Sequence, residues 1–263
     1  MTDPLVLQQD EGAIRILTLN APHRLNALSQ AMIAALSARL DEVANDPKVR
    51  VVVLRGAGRA FCAGHDLAEM QASRADTDSG RAAFARLFAD CAAMMQRLVA
   101  LPQPVIAQVQ GIATAAGCQL AASCDLVSAA QDARFGVNGV NIGLFCSTPA
   151  VALSRKVAPG VAFELLATGE FLPAPRAQEV GLVNRVAPAE DLDAVTLDLA
   201  RTIAAKLPVA LRLGKAAFRA QAGQPLATAY DQAGCTMVEN LMQPETEEGM
   251  QAFLEKRPPR WSA

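Results

Sequence analysis

The segment Phe61-Cys62-Ala63-Gly64-His65-Asp66-Leu67 decides how this chain is interpreted, together with Ala115-Ala116-Gly117-Cys118-Gln119-Leu120 further along the sequence. Each is a short run of small residues after an apolar, strand-like stretch. Glycine lets a backbone approach a ligand closely, and a helix beginning near Ala116 would direct N–H groups outward. Two such N–H groups facing one another would stabilise negative charge on a carbonyl oxygen. Taken alone, either segment is also typical of an ordinary tight turn.

The two segments together resemble the crotonase superfamily, also called the enoyl-CoA hydratase/isomerase family. The resemblance continues through Ala133-Arg134-Phe135-Gly136 and residues 177–186, and it ends at residues 248–257, in the order and spacing of the family. Residues 114–120 and 143–149 are similar to one subgroup, the enoyl-CoA hydratase domain-containing protein 3 group. The resemblance implies that the ligand is an acyl-CoA thioester. It also implies an oxyanion hole formed by the backbone N–H groups of His65 and Ala116.

Composition limits the other classes of function. The 263 residues carry a formal net charge of −2, so nothing favours a nucleic-acid partner. Six cysteines occur singly and there are only two histidines, which predicts reduced, buried thiols and no metal site. No apolar run is long enough to cross a membrane, and the N-terminal residues show neither a secretion nor an organelle-import pattern. We therefore expect a soluble, cytoplasmic protein.

Strand and helix patterns alternate through the first two-thirds of the chain. Residues 14–19 and 49–54 have strand patterns, and residues 29–45 between them place apolar side chains at helical spacing. Repeated units of this kind predict an α/β protein in which helices cover stacked sheet. The resemblance makes this the crotonase ββα superhelix, with the acyl-CoA pocket in a core over residues 1–190.

Beyond residue 190 the pattern changes to helix alone. Four helical stretches are separated by Pro208, Gly223 and Pro244. Their apolar stripes are broad for surface helices, so they need a partner surface. The resemblance implies that residues 191–263 form a C-terminal helical trimerisation region, which assembles a homotrimer or a dimer of trimers.

The resemblance also places the contacts to coenzyme A. The backbone from Ala63 to Leu67 would lie against the adenine side and the thioester, and Phe253 and Lys256 would reach the adenine and the 3′-phosphate, from the same or a neighbouring subunit. The predicted contacts are Arg24, Leu25, Asn26, Ala63, His65, Asp66, Leu67, Phe253 and Lys256. A basic residue at position 256 is equally typical of a solvated helix end. Coenzyme A is part of the substrate, so no separate cofactor is expected.

Two positions depart from the hydratases of the family. Those enzymes use two glutamates, and the matching positions here are Gln119 and Gly139. The amide of Gln119 cannot exchange a proton, although it can orient water, and Gly139 has no side chain. We expect enoyl-CoA hydration near background. We also expect that restoring both glutamates raises it if the pocket is otherwise intact.

Other side chains could take over the chemistry. The imidazole of His65 has a pKa suited to proton transfer, and Cys146 or Ser147 could act as an alternative catalytic group, with His65 as the base. Each also has a structural interpretation, since His65 can act through its N–H alone and Cys146 can be a buried thiol. The sequence thus leaves two functions open: an atypical hydratase/isomerase-like enzyme acting on acyl-CoA thioesters, or a non-catalytic acyl-CoA-binding oligomeric protein.

Overall fold

Two β-sheets frame the part of the chain that the computed structural model describes, residues 3–261. The larger sheet has the spatial order β1 (Val6–Glu11), β2 (Ile14–Leu19), β3 (Val51–Gly56), β4 (Val105–Val109), β6 (Leu126–Ala130) and β9 (Arg185–Ala187). The β1–β2 pair is antiparallel and the other neighbours are parallel. The smaller sheet joins β5 (Ile112–Thr114), β7 (Arg134–Gly136) and β8 (Phe171–Pro173).

Helices alternate with these strands, as the sequence predicts. They are α1 (Gln30–Ala44), α2 (Leu67–Ser73), α3 (Arg81–Ala100), α4 (Ala116–Ser123), α5 (Ser147–Leu153), α6 (Pro159–Thr168), α7 (Ala174–Glu179), α8 (Leu192–Ala204), α9 (Pro208–Gln221), α10 (Leu226–Leu241) and α11 (Pro244–Leu254). A 3₁₀ helix covers Asn138–Ile142. The predicted helix at residues 29–45 is α1, which begins after Ser29 because that hydroxyl accepts a hydrogen bond from the Met32 N–H.

The central strand β3 is buried on both faces, which explains its unbroken apolar run. Val52 and Leu54 belong to the main core, and Val51 and Val53 belong to a second cluster that includes Ala200 of α8. Helix α8 therefore covers one face of the larger sheet. Helix α8 thus packs as part of the core of its own chain. The boundary at residue 190 between this core and a region for oligomerisation stays a prediction.

The last three helices leave large apolar side chains in solvent. Helices α9 and α10 bury no residue. The most exposed large apolar side chains of residues 208–254 are Phe218, Leu226, Tyr230, Met242, Phe253 and Leu254. Four helices after residue 190 were predicted, and the described residues up to 261 contain four, at α8 to α11. No helix within residues 3–261 combines the length and apolar character that a membrane span requires.

Candidate active site

The two motif segments lie directly against one another. The Thr114 N–H donates to the Cys62 carbonyl at 3.0 Å. Gly64 has φ +89°, and a Cβ on it would lie 2.9 Å from the Ala115 Cβ and 3.3 Å from the Ala116 nitrogen. Only glycine accommodates both the backbone angle and this contact. The structure thus brings the loop that carries His65 against the start of α4, as the sequence predicts.

Two backbone N–H groups are left free where the segments meet. Ala116 is the first residue of α4, so its N–H lies outside the helical hydrogen-bond ladder. Within residues 3–261, neither the His65 N–H nor the Ala116 N–H donates a hydrogen bond to another residue. Ala115, before the helix, has φ 49° and ψ −120°, a strained conformation for alanine. Strain of about 1–3 kcal/mol at one residue is typical of functional sites.

His65 and Ala116 both line a cavity of about 400 Å³. Most of its wall is apolar, from Leu67, Met70, Phe88, Ile142, Phe145 and Pro149. Its polar wall is formed by His65, Thr114, Asn138, Cys146, Ser147 and Thr148. Among the described residues that line it there is no carboxylate, lysine or arginine. Its titratable side chains are therefore His65 and Cys146. In the same described residues, no group of three or more His, Cys, Asp or Glu is placed to hold a metal ion.

His65 is held in a largely apolar setting. Its Nδ1 lies 3.4 Å from the Leu28 carbonyl oxygen, and its ring meets the Phe88 ring edge-on at 5.6 Å. Burial lowers the pKa of His65, and the Leu28 carbonyl opposes this shift, so the ring is neutral at pH 7. Because a carbonyl can only accept, Nδ1 carries the proton and Nε2 is the acceptor.

The Nε2 acceptor is buried and has no hydrogen-bond partner in the described chain. A buried acceptor without a partner costs about 1–3 kcal/mol of stability. The backbone N–H and the Nε2 of His65 thus both lack a hydrogen-bond partner within residues 3–261, and Nε2 is enclosed by the protein.

Gln119 and Gly139, the positions that match the two glutamates of the hydratases, have different surroundings in the structure. Gln119 is buried in α4, lies outside the cavity lining, and has an Oε1 without a partner in residues 3–261. Gly139 does line the cavity, but a Cβ there would overlap the Leu144 carbonyl oxygen and lie 2.8 Å from the Cys146 sulfur. The following loop fills the space beside residue 139, so a glutamate there does not leave the pocket otherwise intact, which was the condition for restored hydration.

Cys146 and Ser147 both line the cavity at the start of α5. Burial raises the pKa of the Cys146 thiol, and a hydrogen bond from the Gly139 backbone only partly opposes the shift, so the group is a neutral thiol at pH 7. The Ser147 hydroxyl donates to the Phe145 carbonyl at 3.4 Å. No hydrogen bond within the described chain joins either side chain to a base, so the structure adds no support to a nucleophilic role.

Thr114 is a cavity residue that sequence reasoning missed. Its hydroxyl donates to the Asn138 Oδ1 at 2.7 Å, and both side chains line the cavity. The amide of Asn138 is thereby fixed beside Gly139. The available signal was the position of Thr114 at the end of β5, directly before Ala115.

The predicted coenzyme A contacts near residue 66 are ordered by one carboxylate. Asp66 accepts hydrogen bonds from the Ala68 and Glu69 N–H groups at the start of α2, and its second oxygen pairs with Arg24 at 2.8 Å. Ala63 and Leu67 line the cavity.

Leu25 and Asn26 adopt left-handed backbone conformations, with φ 52° and 53°. Asn26 is fully buried. Its Oδ1 accepts from the Ala21 N–H, and its Nδ2 donates to the Ala57 and Ala60 carbonyls. Its side chain is therefore structural and is not available to a ligand, which corrects the prediction that it contacts coenzyme A.

The C-terminal contacts do not reach this cavity within one chain. Phe253 lies on α11, is 83% exposed, and lines a different cavity of about 480 Å³ with Leu207, Met250 and Trp261. Lys256 follows α11 and lines neither cavity. A role for either residue in ligand binding stays a prediction that depends on a neighbouring subunit.

The fold and the paired glycine-rich segments define a protein of the crotonase superfamily. The model of the enoyl-CoA hydratase/isomerase family matches residues 9–263, and the chain belongs to that family. The resemblance deduced from the sequence is thus confirmed.

Two relatives and two solved structures show which members of the family the chain is similar to. The chain is 42% identical to enoyl-CoA hydratase domain-containing protein 3, mitochondrial, of Danio rerio, over 98% of this chain and 88% of that protein. It is also 42% identical to the Homo sapiens protein of that name, over 98% of this chain and 84% of the relative. The crystal structure of an enoyl-CoA hydratase from Mycobacterium smegmatis superposes with a TM-score of 0.94 at 52% identity, covering 98% of this chain and 99% of that one. For the human domain-containing protein 3 structure the TM-score is 0.93 at 40% identity, covering 98% and 100%. The resemblance to this subgroup is confirmed.

Proposed function

We propose that this protein binds acyl-CoA thioesters with the thioester oxygen between the backbone N–H groups of His65 and Ala116. The observation that carries the proposal is that both N–H groups are free beside a cavity of about 400 Å³. The positive end of the α4 dipole adds to the attraction for a developing oxyanion. The apolar wall of the cavity suits an acyl chain. No separate cofactor is needed, because coenzyme A arrives with the substrate.

Hydration by the usual two glutamates is not part of this proposal. The cavity lining in the described chain contains no carboxylate, and the Gln119 amide cannot exchange a proton. The first candidate is an acyl-CoA enzyme that uses the oxyanion hole for other chemistry. The second candidate is a non-catalytic acyl-CoA binder, which the same lack of lining carboxylates favours.

We include oligomerisation in the proposal. The apolar side chains that α9, α10 and α11 expose support association with further copies of the chain, as a homotrimer or a dimer of trimers. Phe253 and Lys256 would then act on the cavity of a neighbour. A cytoplasmic location also stays a prediction.

A ligand that lacks the thioester oxygen tests the oxyanion hole without any mutation. The affinities of butyryl-CoA and of the thioether S-butyl-CoA are measured by calorimetry. Loss of two hydrogen bonds of about 0.5–1.5 kcal/mol each predicts roughly 5- to 150-fold weaker binding of the thioether. Equal affinity for the two ligands would overturn the proposal.

A matched pair of glycine variants tests the placement of the His65 N–H. In Gly64→Ala the new Cβ meets Ala115, and we expect the preference for the thioester to fall toward that for the thioether. Gly12→Ala is the control, because Gly12 also has a positive φ but a Cβ there meets nothing within 4 Å. Both variants carry backbone strain, and only Gly64→Ala changes the site. A preference unchanged in Gly64→Ala would contradict the assignment.

Turnover assays separate the enzyme from the binder. Crotonyl-CoA hydration, followed by loss of the enoyl absorbance, is expected near background. Hydration at ordinary enzymatic rates would contradict the exclusion of hydratase chemistry. Saturable binding of thioesters without turnover of enoyl, 3-hydroxyacyl or saturated acyl-CoA would favour the binder.

A further inference from the structure

The polar wall of the cavity includes one side-chain amide whose donors are free. Asn138 and Thr114 both line the cavity, and the Thr114 hydroxyl donates to the Asn138 Oδ1 at 2.7 Å. The Asn138 Nδ2 makes no hydrogen bond within residues 3–261. It is also accessible, in contrast to the His65 Nε2, which the protein encloses. Asn138 thus has two N–H donors that are accessible and unused.

The smaller sheet fixes the place of this amide. Thr114 ends β5 and pairs with Gly136 at the end of β7, and Asn138 begins the 3₁₀ helix two residues later. The Ala115 N–H donates to the Gly136 carbonyl at 2.9 Å. Thr114 lies two residues before Ala116, so their Cα atoms are at most about 7–8 Å apart. The Asn138 amide, bonded to Thr114, is therefore held close to one of the two proposed oxyanion donors.

The other polar groups of the cavity wall do not supply a donor with a fixed direction that is free. The Ser147 hydroxyl already donates to the Phe145 carbonyl at 3.4 Å, and the Thr148 hydroxyl turns about its C–O bond. Among the described residues that line the cavity there is no lysine or arginine. A negatively charged acyl group would therefore be buried there without an ion pair, which is unfavourable. This wall suits an uncharged acceptor beside Asn138.

We propose that the Asn138 amide donates a hydrogen bond to an uncharged oxygen on the acyl group, so that the protein selects acyl-CoA thioesters with a hydroxyl or keto group near the thioester. The proposal rests on the proposed function, since the thioester oxygen must lie between the His65 and Ala116 N–H groups. That anchor places the first carbons of the acyl group near Thr114 and Asn138.

The physical reason for the selection is the unused amide. An unsubstituted acyl chain covers Nδ2 with apolar carbon, and the amide loses its hydrogen bonds to water without gaining another. An oxygen on Cα, Cβ or Cγ of the acyl group restores a partner. Thr114 acts as a positioning residue, because its hydroxyl occupies Oδ1 and leaves Nδ2 as the group that meets the ligand.

A series of ligands tests the selection in the wild-type protein. Dissociation constants are measured by calorimetry for butyryl-CoA, for 2-, 3- and 4-hydroxybutyryl-CoA, and for acetoacetyl-CoA. One additional hydrogen bond predicts that at least one oxygenated ligand binds roughly 2- to 12-fold more tightly than butyryl-CoA. Succinyl-CoA, whose acyl group ends in a carboxylate, should bind no more tightly than butyryl-CoA.

A matched pair of asparagine variants tests the donor. Asn138→Leu removes the amide but keeps a side chain of similar size, so the preference for the oxygenated ligand over butyryl-CoA should disappear. Asn141→Leu is the control, because Asn141 belongs to the same 3₁₀ helix but does not line the cavity. Its preference should equal that of the wild type.

Two variants of Thr114 test the positioning role. Valine has the shape of threonine without the hydroxyl, so in Thr114→Val the Asn138 amide loses its partner and the preference should fall. Thr114→Ser keeps the hydroxyl and should retain most of the preference. Circular dichroism and butyryl-CoA binding show whether each variant is folded.

Three results would overturn the inference. The first is wild-type protein that prefers butyryl-CoA over S-butyl-CoA but binds no oxygenated ligand more tightly than butyryl-CoA. The second is an Asn138→Leu variant that keeps the wild-type preference. The third is succinyl-CoA binding more tightly than every uncharged ligand, which would mean that charge is selected. Failure of the proposed function is distinguishable, because butyryl-CoA and S-butyl-CoA would then bind equally to the wild-type protein.

Discussion

The sulfur of Cys146 lies 2.8 Å from the point at which a side chain on Gly139 would begin. The Leu144 carbonyl oxygen overlaps the same point, and the Leu144 N–H donates to the Gly139 carbonyl at 2.9 Å. The loop from residue 139 to residue 146 is therefore folded back onto Gly139. A glutamate at residue 139 is thus incompatible with this conformation of the loop.

This packing predicts that Gly139→Ala destabilises the protein. The added methyl group must displace a carbonyl oxygen and a sulfur, which typically costs about 1–3 kcal/mol in a packed region. Gly160→Ala is the control, because a Cβ at Gly160 meets nothing within 4 Å. Urea denaturation should show a lower free energy of unfolding for Gly139→Ala and little change for Gly160→Ala. Equal stabilities would mean that the loop yields without cost.

The same packing predicts that two added glutamates do not make a hydratase. In Gln119→Glu with Gly139→Glu, the second side chain has no room to begin, and the first starts from a residue outside the cavity lining. Crotonyl-CoA hydration by the double variant should stay near background. Hydration at an ordinary enzymatic rate would show that the loop at residues 139–146 rearranges readily. Butyryl-CoA binding by the same variant shows whether its cavity is intact.

The side chain of Asn26 leads to a prediction about stability alone, because Asn26 does not line the cavity. Its amide satisfies the Ala21 N–H and the Ala57 and Ala60 carbonyls in a fully buried position. Asn26→Ala leaves these groups unpaired and should lower the free energy of unfolding by about 3 kcal/mol or more. Asn20→Ala, which loses one exposed bond to the Pro4 carbonyl, is the control and should cost under about 1 kcal/mol. Chemical denaturation measures both, and similar losses would contradict the buried role.

The fold followed from the sequence where the pattern was periodic. The strand pattern at residues 14–19 and the helical spacing at residues 29–45 predicted β2 and α1, because burial of one face determines each period. The contact between Gly64 and α4 was predicted from the two motif segments, since closely approaching backbones require glycine at those positions.

The local state of single side chains did not follow from the sequence. Three features depend on residues distant in sequence or on the conformation of a loop. They are the hydrogen bonds that occupy the Asn26 amide, the Thr114–Asn138 hydrogen bond and the filled space beside Gly139. Motif matching assigns a residue to a position, but its hydrogen-bond partners are decided by tertiary packing.

The carboxylate of Asp125, directly before β6, connects α9 to the larger sheet. Asp125 pairs with Lys215 at 2.6 Å and Arg219 at 2.9 Å, and it also accepts the Val105 N–H. The Lys215 side chain is only 10% exposed, and burial lowers its pKa against the opposing effect of Asp125. Asp125→Ala leaves this ammonium group buried without its charged partner, with the Gln103 carbonyl still accepting from it, which should cost about 3–5 kcal/mol.

The control for Asp125→Ala is an ion pair in solvent. Glu179→Ala removes the exposed pair with Arg176 and should cost at most about 1 kcal/mol. Denaturation gives the two values. Hydrogen exchange should show lost protection in α9 for Asp125→Ala alone. Retained protection of α9 would mean that other contacts hold the helix.

The buried imidazole of His65 predicts a pH dependence of stability. Burial lowers its pKa in the folded state below the ordinary value of 6.5, so the unfolded chain binds this proton more readily. The contribution of the neutral ring is fully present above about pH 6.5, and it is lost as the pH falls toward the lowered folded pKa. The groups that face the ring, the Leu28 carbonyl and Phe88, carry no charge, and the neighbouring Asp66 is paired with Arg24. His65→Gln should therefore lose less stability than wild type between pH 7 and pH 5. Urea denaturation across this range measures the difference, and parallel curves for wild type and His65→Gln would show that the ring titrates alike in the folded and unfolded states.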